Sequence, residues 1–160
     1  MRILITGGNG MVGRYLKKIM PEAKTPTSKE LDLTNSEQVK NYFTKNKFDY
    51  VIHLAAHVGS LHDNIENRTD YFDNNILMNT LVTKYAYESG VKNFLGILST
   101  CIYPNDINTF PMKEDVLHSG APHPSLMSYA YAKRSHAVQI EAYKERFGVN
   151  YNYLIPCNLY

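Results

Sequence analysis

The sequence predicts an α/β protein built on a doubly wound parallel sheet. Two observations predict it. Short apolar strands alternate with stretches in which apolar residues recur every three or four positions, the helical period. Between the first strand and the first helix lies Thr6-Gly7-Gly8-Asn9-Gly10-Met11-Val12-Gly13. A glycine-rich turn carries meaning when it follows a strand and opens a helix, and this one does both. Gly7 permits a tight turn, Gly10 lets the backbone approach a pyrophosphate, and Gly13 lets the helix pack close to the strand. The unpaired N–H groups of the helix's first turn then face the phosphates. A helix cap with spare glycines is the plainer alternative; the flanking strand and helix favour dinucleotide binding.

Each element can be justified in turn. Residues 2–6 are apolar enough for a strand. Residues 11–20 carry Met11, Val12, Tyr15, Leu16, Ile19 and Met20 at helical spacing, and Pro21 stops them. Residues 23–27 form a weak second strand, interrupted by Lys24, Thr25 and Pro26. Its tip normally meets the adenosine ribose. No acidic residue stands there; Ser28 and Lys29 do, which favours the extra phosphate of NADP over the free 2′-hydroxyl of NAD. Asp32-Leu33 leads to Thr34-x-x-Glu37, read as a capping box for a helix running to about Asn46.

Residues 50–54 are a buried strand ending in Ala55-Ala56, small enough beside Leu54 to leave room for the adenine side of a cofactor. Residues 57–69 read as a polar loop. A helix follows over 70–89, closed by Gly90. Asn75 and Asn79 share its apolar side; buried amides need partners, so they are read as buttresses for neighbouring loops. The strand at 94–98 runs into Ser99-Thr100-Cys101-Ile102-Tyr103-Pro104. Residues 104–128 form a long loop, residues 129–147 a helix stopped by Gly148, and residues 151–155 a last strand.

Composition narrows the function. The chain has 160 residues, 17 basic and 15 acidic, for a net charge of +2. That length gives about one domain with a real core. The balance offers no basic stripe, so no nucleic-acid partner is expected. No apolar run approaches a membrane span, and no metal-ligand cluster stands out. Two cysteines, Cys101 and Cys157, make no disulfide framework and point to a reducing, cytoplasmic setting.

Ligands of an open parallel sheet sit beyond the carboxyl ends of its strands. Ser99 lies at such an end. Tyr129 and Lys133, four apart on one helix, share a face. A tyrosine, protonated below about pH 10, can act as a general acid toward a carbonyl oxygen. A nearby ammonium would stabilise the phenolate and make it a stronger acid. Lys133 could also bond the nicotinamide ribose, and the Ser99 hydroxyl could stabilise charge on the carbonyl oxygen. Cys101, two residues past Ser99, would suit proton abstraction beside a ketone. That use needs about 2 kcal/mol of preferential thiolate stabilisation.

The segments quoted above, with Leu54-Ala55-Ala56-x-Val58-Gly59, His118 to His123 and Pro156-x-Asn158-Leu159-Tyr160, resemble the extended short-chain dehydrogenases/reductases, which are Rossmann-fold enzymes. More narrowly they resemble the GDP-L-fucose synthases. That family epimerises a GDP-linked 4-keto-6-deoxymannose at C3 and C5, then reduces C4 with NADPH. The resemblance implies that Ser99 polarises the ketone, Tyr129 is the acid, Lys133 binds ribose, and Cys101 is the epimerisation base. It puts Gly7, Asn9, Gly10, Met11, Val12 and Gly13 around the pyrophosphate. Ser28, Lys29, Asp32, Leu33, Leu54, Ala55, Ala56, Pro156, Asn158 and Leu159 complete the cofactor site. It implies a homodimer joined through the helices at 70–89 and 129–147.

Family members continue through a further strand and a substrate domain. Residues 1–160 are therefore expected to be a dinucleotide-binding domain without the C-terminal substrate domain, and the epimerisation acid is expected beyond Tyr160. Position 60 is Ser where the family has a second glycine. Two alternatives stay open: another nucleotide-sugar epimerase or dehydratase of the superfamily, and a non-catalytic dinucleotide-binding or dimerisation module.

Overall fold

The computed structural model describes residues 1–159. Its centre is a parallel four-stranded sheet of β1 (Ile3–Thr6), β2 (Tyr50–His53), β3 (Asn93–Ile97) and β4 (Asn150–Leu154), in that order. The crossovers carry α1 (Met11–Ile19), α2 (Ser36–Lys45), α3 (Leu61–Glu66), α4 (Arg68–Glu88) and α5 (Met127–Phe147). After α1 the chain pairs with β1 on the side away from β2, through a parallel bridge between Leu4 and Lys24. After α2 it returns to pair β2 with the other side of β1. Crossovers of one hand then place α1 on one face of the sheet and α2 and α4 on the other. The sheet is doubly wound, and its direction reverses at β1.

Register fixes the core. Leu4, Val51, Phe94 and Tyr151 stand side by side on one face. They are fully buried against Val39, Phe43, Val82, Ala86 and Ile140 of α2, α4 and α5. Tyr15 and Ile19, which keep helical spacing in α1, remain 68% and 71% exposed. Only Gly13 of that helix is fully buried.

Several local expectations are revised. The strand expected at 23–27 shrinks to the one bridge at Lys24, because Pro26 has no N–H to offer a ladder. The capping box does not form. Thr34 donates its hydroxyl to Asp32, and Asn35 caps α2 by accepting from the Gln38 N–H. The stretch 57–69 is not all loop, because Ser60 caps α3 by accepting from the Asp63 N–H. The serine that departs from the family glycine thus starts a helix. α4 and α5 each begin two residues earlier than expected, and glycines Gly90 and Gly148 follow their ends at φ +89° and +64°. The 104–128 stretch contains short 3-10 turns at Glu114–Val116 and Pro124–Leu126. Its Leu117 is buried against Leu98, Ile102 and Tyr103 in a second small core. No helix among the described residues is long and apolar enough to cross a membrane.

The turn after β1 has almost no slack. A β-carbon on Gly13 would lie 2.5 Å from the Gly7 carbonyl oxygen and 2.6 Å from Gly8 Cα. Both are backbone atoms that cannot swing aside. Gly13→Ala is therefore expected to cost about 3 kcal/mol, the upper end for overpacking a tight site. Gly90→Ala, where nothing stands within 4 Å and only the positive φ resists, should cost about 1 kcal/mol. Chemical denaturation of the two variants measures the difference; equal losses would show that the turn yields.

Candidate functional site

The site begins where β1 and β2 end. Gly7 takes φ +71°, and a β-carbon there would come within 2.7 Å of the Ala55 nitrogen. The two strand-end turns therefore touch backbone to backbone. Beneath them lies a buried polar chain. The Ala55 N–H donates to Thr6 Oγ1 at 3.3 Å. Thr6 Oγ1 and His53 Nδ1 are 2.6 Å apart, and His53 Nε2 is 3.1 Å from Asn79 Oδ1. With Asn79 presenting its oxygen, His53 carries its proton on Nε2 and accepts the Thr6 hydroxyl at Nδ1. Burial, then the Lys133 charge, pushes His53 down to about 3, so the ring is neutral. His136 stands edge-on to it at 5.6 Å and bonds Thr83 through Nε2 at 3.0 Å.

Asn75 of α4 buttresses a neighbouring loop as expected, whereas Asn79 serves the side chain of a strand residue, His53. Asn75 accepts from the His57 N–H and donates to the His57 carbonyl, each at 3.0 Å. Neither His53 nor His136 was anticipated as part of this network. The available signal was a histidine inside an otherwise apolar strand.

A cleft of about 640 Å³ opens above these turns. It is lined by the glycine turn from Gly7 through Asn9, Gly10, Met11 and Val12 to Gly13. Ser28, Asp32 and Leu33 form one wall, and Leu54, Ala55 and Ala56 another. Pro156 and Leu159 close the far side. Lys29 and Asn158 are exposed and are not part of the lining; Tyr160 lies outside the described residues. Thr27, Val58, Met78 and Ile97 line the cleft without having been singled out from sequence. The N-terminus of α1 carries no side-chain cap, and the space at Gly10 is open apart from the Gly7 oxygen at 3.3 Å. Free N–H donors facing an open cleft fit a dinucleotide's pyrophosphate. No three His, Cys, Asp or Glu side chains among the described residues form a group able to hold a metal ion.

Ser99, Cys101, Tyr129 and Lys133 gather past the end of β3. Ser99 Oγ accepts the Cys101 N–H at 3.4 Å, shaping a 3-10 turn over Thr100–Ile102. Lys133 is 2% exposed and donates to the Ile97 carbonyl at 2.8 Å. Its Nζ lies 5.9 Å from the centre of the Tyr129 ring. Arg134, unmarked in the sequence reading, ties this turn to the long loop. Its Nε donates to the Ile102 carbonyl at 2.5 Å and its guanidinium to the Gly120 carbonyl at 2.8 Å.

Burial dominates the chemistry of this group. It pushes Tyr129 far above the usual tyrosine range, with the Cys101 charge adding to it. The acidified tyrosine expected beside Lys133 is therefore not found; Lys133 spends its ammonium on a carbonyl, and Tyr129 is a firmly protonated acid. Burial also raises Cys101, against smaller opposing pulls from Ser99, Lys133 and Arg134. The lowered thiol that a resting thiolate base needs is not found either. Burial pushes Lys133 down to about 8.

A glycine-turn cleft beside a Ser–Tyr–Lys group, on a doubly wound parallel sheet, defines a Rossmann-like α/β domain. The chain belongs to the NAD dependent epimerase/dehydratase family, which it matches over residues 3–160. It is 40% identical to the probable GDP-L-fucose synthase of Drosophila melanogaster, over 99% of this chain and 51% of that protein. A GDP-L-fucose synthetase from Naegleria fowleri bound to NADP superposes with a TM-score of 0.86 at 36% identity, over 99% of this chain and 54% of the other. The GDP-mannoheptose C4 reductase of Campylobacter jejuni, with NADP bound, gives 0.94 at 27% identity, over 99% and 52%. The chain spans about half the length of the curated relatives it matches.

Lys133 makes stability depend on pH. Its pKa falls from a lysine's ordinary 10.5 to about 8 on folding. The folded state thus releases this proton first, and the cost of burying the ammonium fades as pH rises. Relative to Lys133→Met, the parent chain should gain about 2 kcal/mol between pH 8 and pH 10. Denaturation midpoints of both proteins across that range measure it; parallel profiles would contradict the assignment.

Proposed function

We propose that this chain is the dinucleotide-binding half of an NADP-dependent epimerase/reductase that converts GDP-4-keto-6-deoxymannose to GDP-L-fucose. The observation that carries the reading is the Ser99–Cys101 turn packed over Tyr129 and Lys133, beside a cleft fit for a dinucleotide. The relatives named above support the choice of a GDP-linked sugar.

Bound NADPH supplies the hydride for C4. Tyr129, held protonated by burial, donates its proton to the C4 oxygen. The Ser99 hydroxyl donates a hydrogen bond to the same oxygen and stabilises charge developing there. Lys133 is held by the Ile97 carbonyl and keeps further N–H donors for the nicotinamide ribose. Cys101 removes the protons at C3 and C5, and the ketone at C4 makes those protons acidic. The acid that completes each inversion is not among the residues assigned here. Because burial opposes the thiolate, epimerisation should be the step most sensitive to pH. The working protein is a homodimer in the cytoplasm. Its contact faces are α4 and α5, which leave Phe72, Leu77, Tyr131 and Val138 between 37% and 55% exposed.

The test uses Tyr129→Phe and Cys101→Ser with NADPH and the keto-sugar in deuterated water. Tyr129→Phe should bind NADPH normally and lose reduction by at least about 100-fold. Cys101→Ser should lose deuterium exchange at C3 and C5 and still reduce a pre-epimerised sugar. Reduction without exchange in the parent chain would assign it to the C4 reductases instead. Parent chain that binds NADPH without turnover would leave a binding module.

A further inference from the structure

One cation, itself outside the cleft lining like Lys29, is bonded to a residue of the cleft wall and has no part in the reading above. Lys17 of α1 donates from Nζ to Asn9 Oδ1 at 2.7 Å, and Asn9 lines the cleft. A β-carbon on Gly8 would meet Thr25 Cβ at 2.8 Å and Lys17 Cε at 3.0 Å. The end of the lysine therefore lies where the glycine turn meets the segment after Lys24. In a doubly wound sheet this is the edge that receives the adenosine ribose.

The carboxylates at this edge are accounted for. The Glu30 carboxylate turns back to accept the Thr27 N–H and hydroxyl at 2.7 and 2.9 Å, and the Lys17 charge also holds its pKa down. Asp32 accepts the Thr34 N–H and hydroxyl at 2.9 and 2.7 Å. Both carboxylates are engaged by donors of their own loops. Lys18 lies over the Tyr15 ring, and Lys29 stands outside the cleft lining. Lys17 alone among these lysines is bonded to a residue of the cleft wall. Its ammonium has two further N–H groups to offer.

We propose that Lys17 is the residue that selects NADP over NAD, pairing its ammonium with the 2′-phosphate while the Ser28 hydroxyl supplies a second donor. This replaces Lys29 in that role, and it rests on the dinucleotide-binding reading. A phosphate monoester meets the ammonium as ion against ion, whereas the 2′-hydroxyl of NAD is itself neutral and brings no charge to the contact.

The experiment is a fluorescence titration of the 160-residue chain with NADPH and with NADH, repeated for Lys17→Gln, Lys29→Gln, Lys17→Arg and Lys18→Gln. Lys17→Gln should weaken NADPH about tenfold or more and leave NADH within about twofold, while Lys17→Arg keeps the preference. Lys18→Gln should match the parent chain. An unchanged NADPH-to-NADH ratio in Lys17→Gln overturns the proposal, as does a loss carried by Lys29→Gln. Equal weakening of both nucleotides would also overturn it, as damage to the turn rather than lost phosphate recognition. A parent chain that binds neither nucleotide would overturn the dinucleotide reading itself, a result separable from every other.

Discussion

The structure depends on how closely the turns after β1 and β2 approach each other. Gly7 abuts the Ala55 nitrogen with no room for a side chain. Contact that close would leave polar backbone groups stranded unless something satisfied them. Thr6, His53 and Asn79 do so in sequence, carrying a hydrogen-bonded path from the Ala55 N–H into the middle of α4. A neutral histidine suits this position because it accepts on one nitrogen and donates from the other. The cleft floor is thus fixed by a chain that begins at its lining residues and runs down into the core.

The group around Ser99, Cys101, Tyr129 and Lys133 follows a related logic. Burial raises the tyrosine and the thiol and lowers the lysine, so all three are driven toward their uncharged forms. Two cations, Lys133 and Arg134, lie side by side in the sequence with backbone carbonyls as their hydrogen-bond acceptors. No carboxylate quenches them in these bonds.

Much of this was legible in the sequence, for physical reasons that differ by residue. The glycine turn and the Tyr129–Lys133 pair announce themselves because their spacing is set by a strand end and by one helical turn. The four strands of the sheet followed from apolar runs and held to within a residue, whereas the strand expected at 23–27 is only a single bridge. What escaped was whatever depends on competition between nearby equals. Asn35 and Thr34 are both good caps, and only the capture of Thr34 by Asp32 decides between them. The buried direction of Tyr129 escaped too, since desolvation is a property of the packed site and no local pattern encodes it. The Lys17–Asn9 bond escaped as well, because it closes through space and no local spacing encodes it.

Asn75 has a consequence of its own. By both donating to and accepting from the backbone of His57, its amide behaves as a peptide group borrowed from a helix. The segment after β2 is thereby tied to α4 by a matched pair of hydrogen bonds. Isosteric aspartate could not serve, because it would set a second acceptor against a carbonyl. This one side chain anchors to α4 the residue that lies between two members of the cleft wall, Ala56 and Val58.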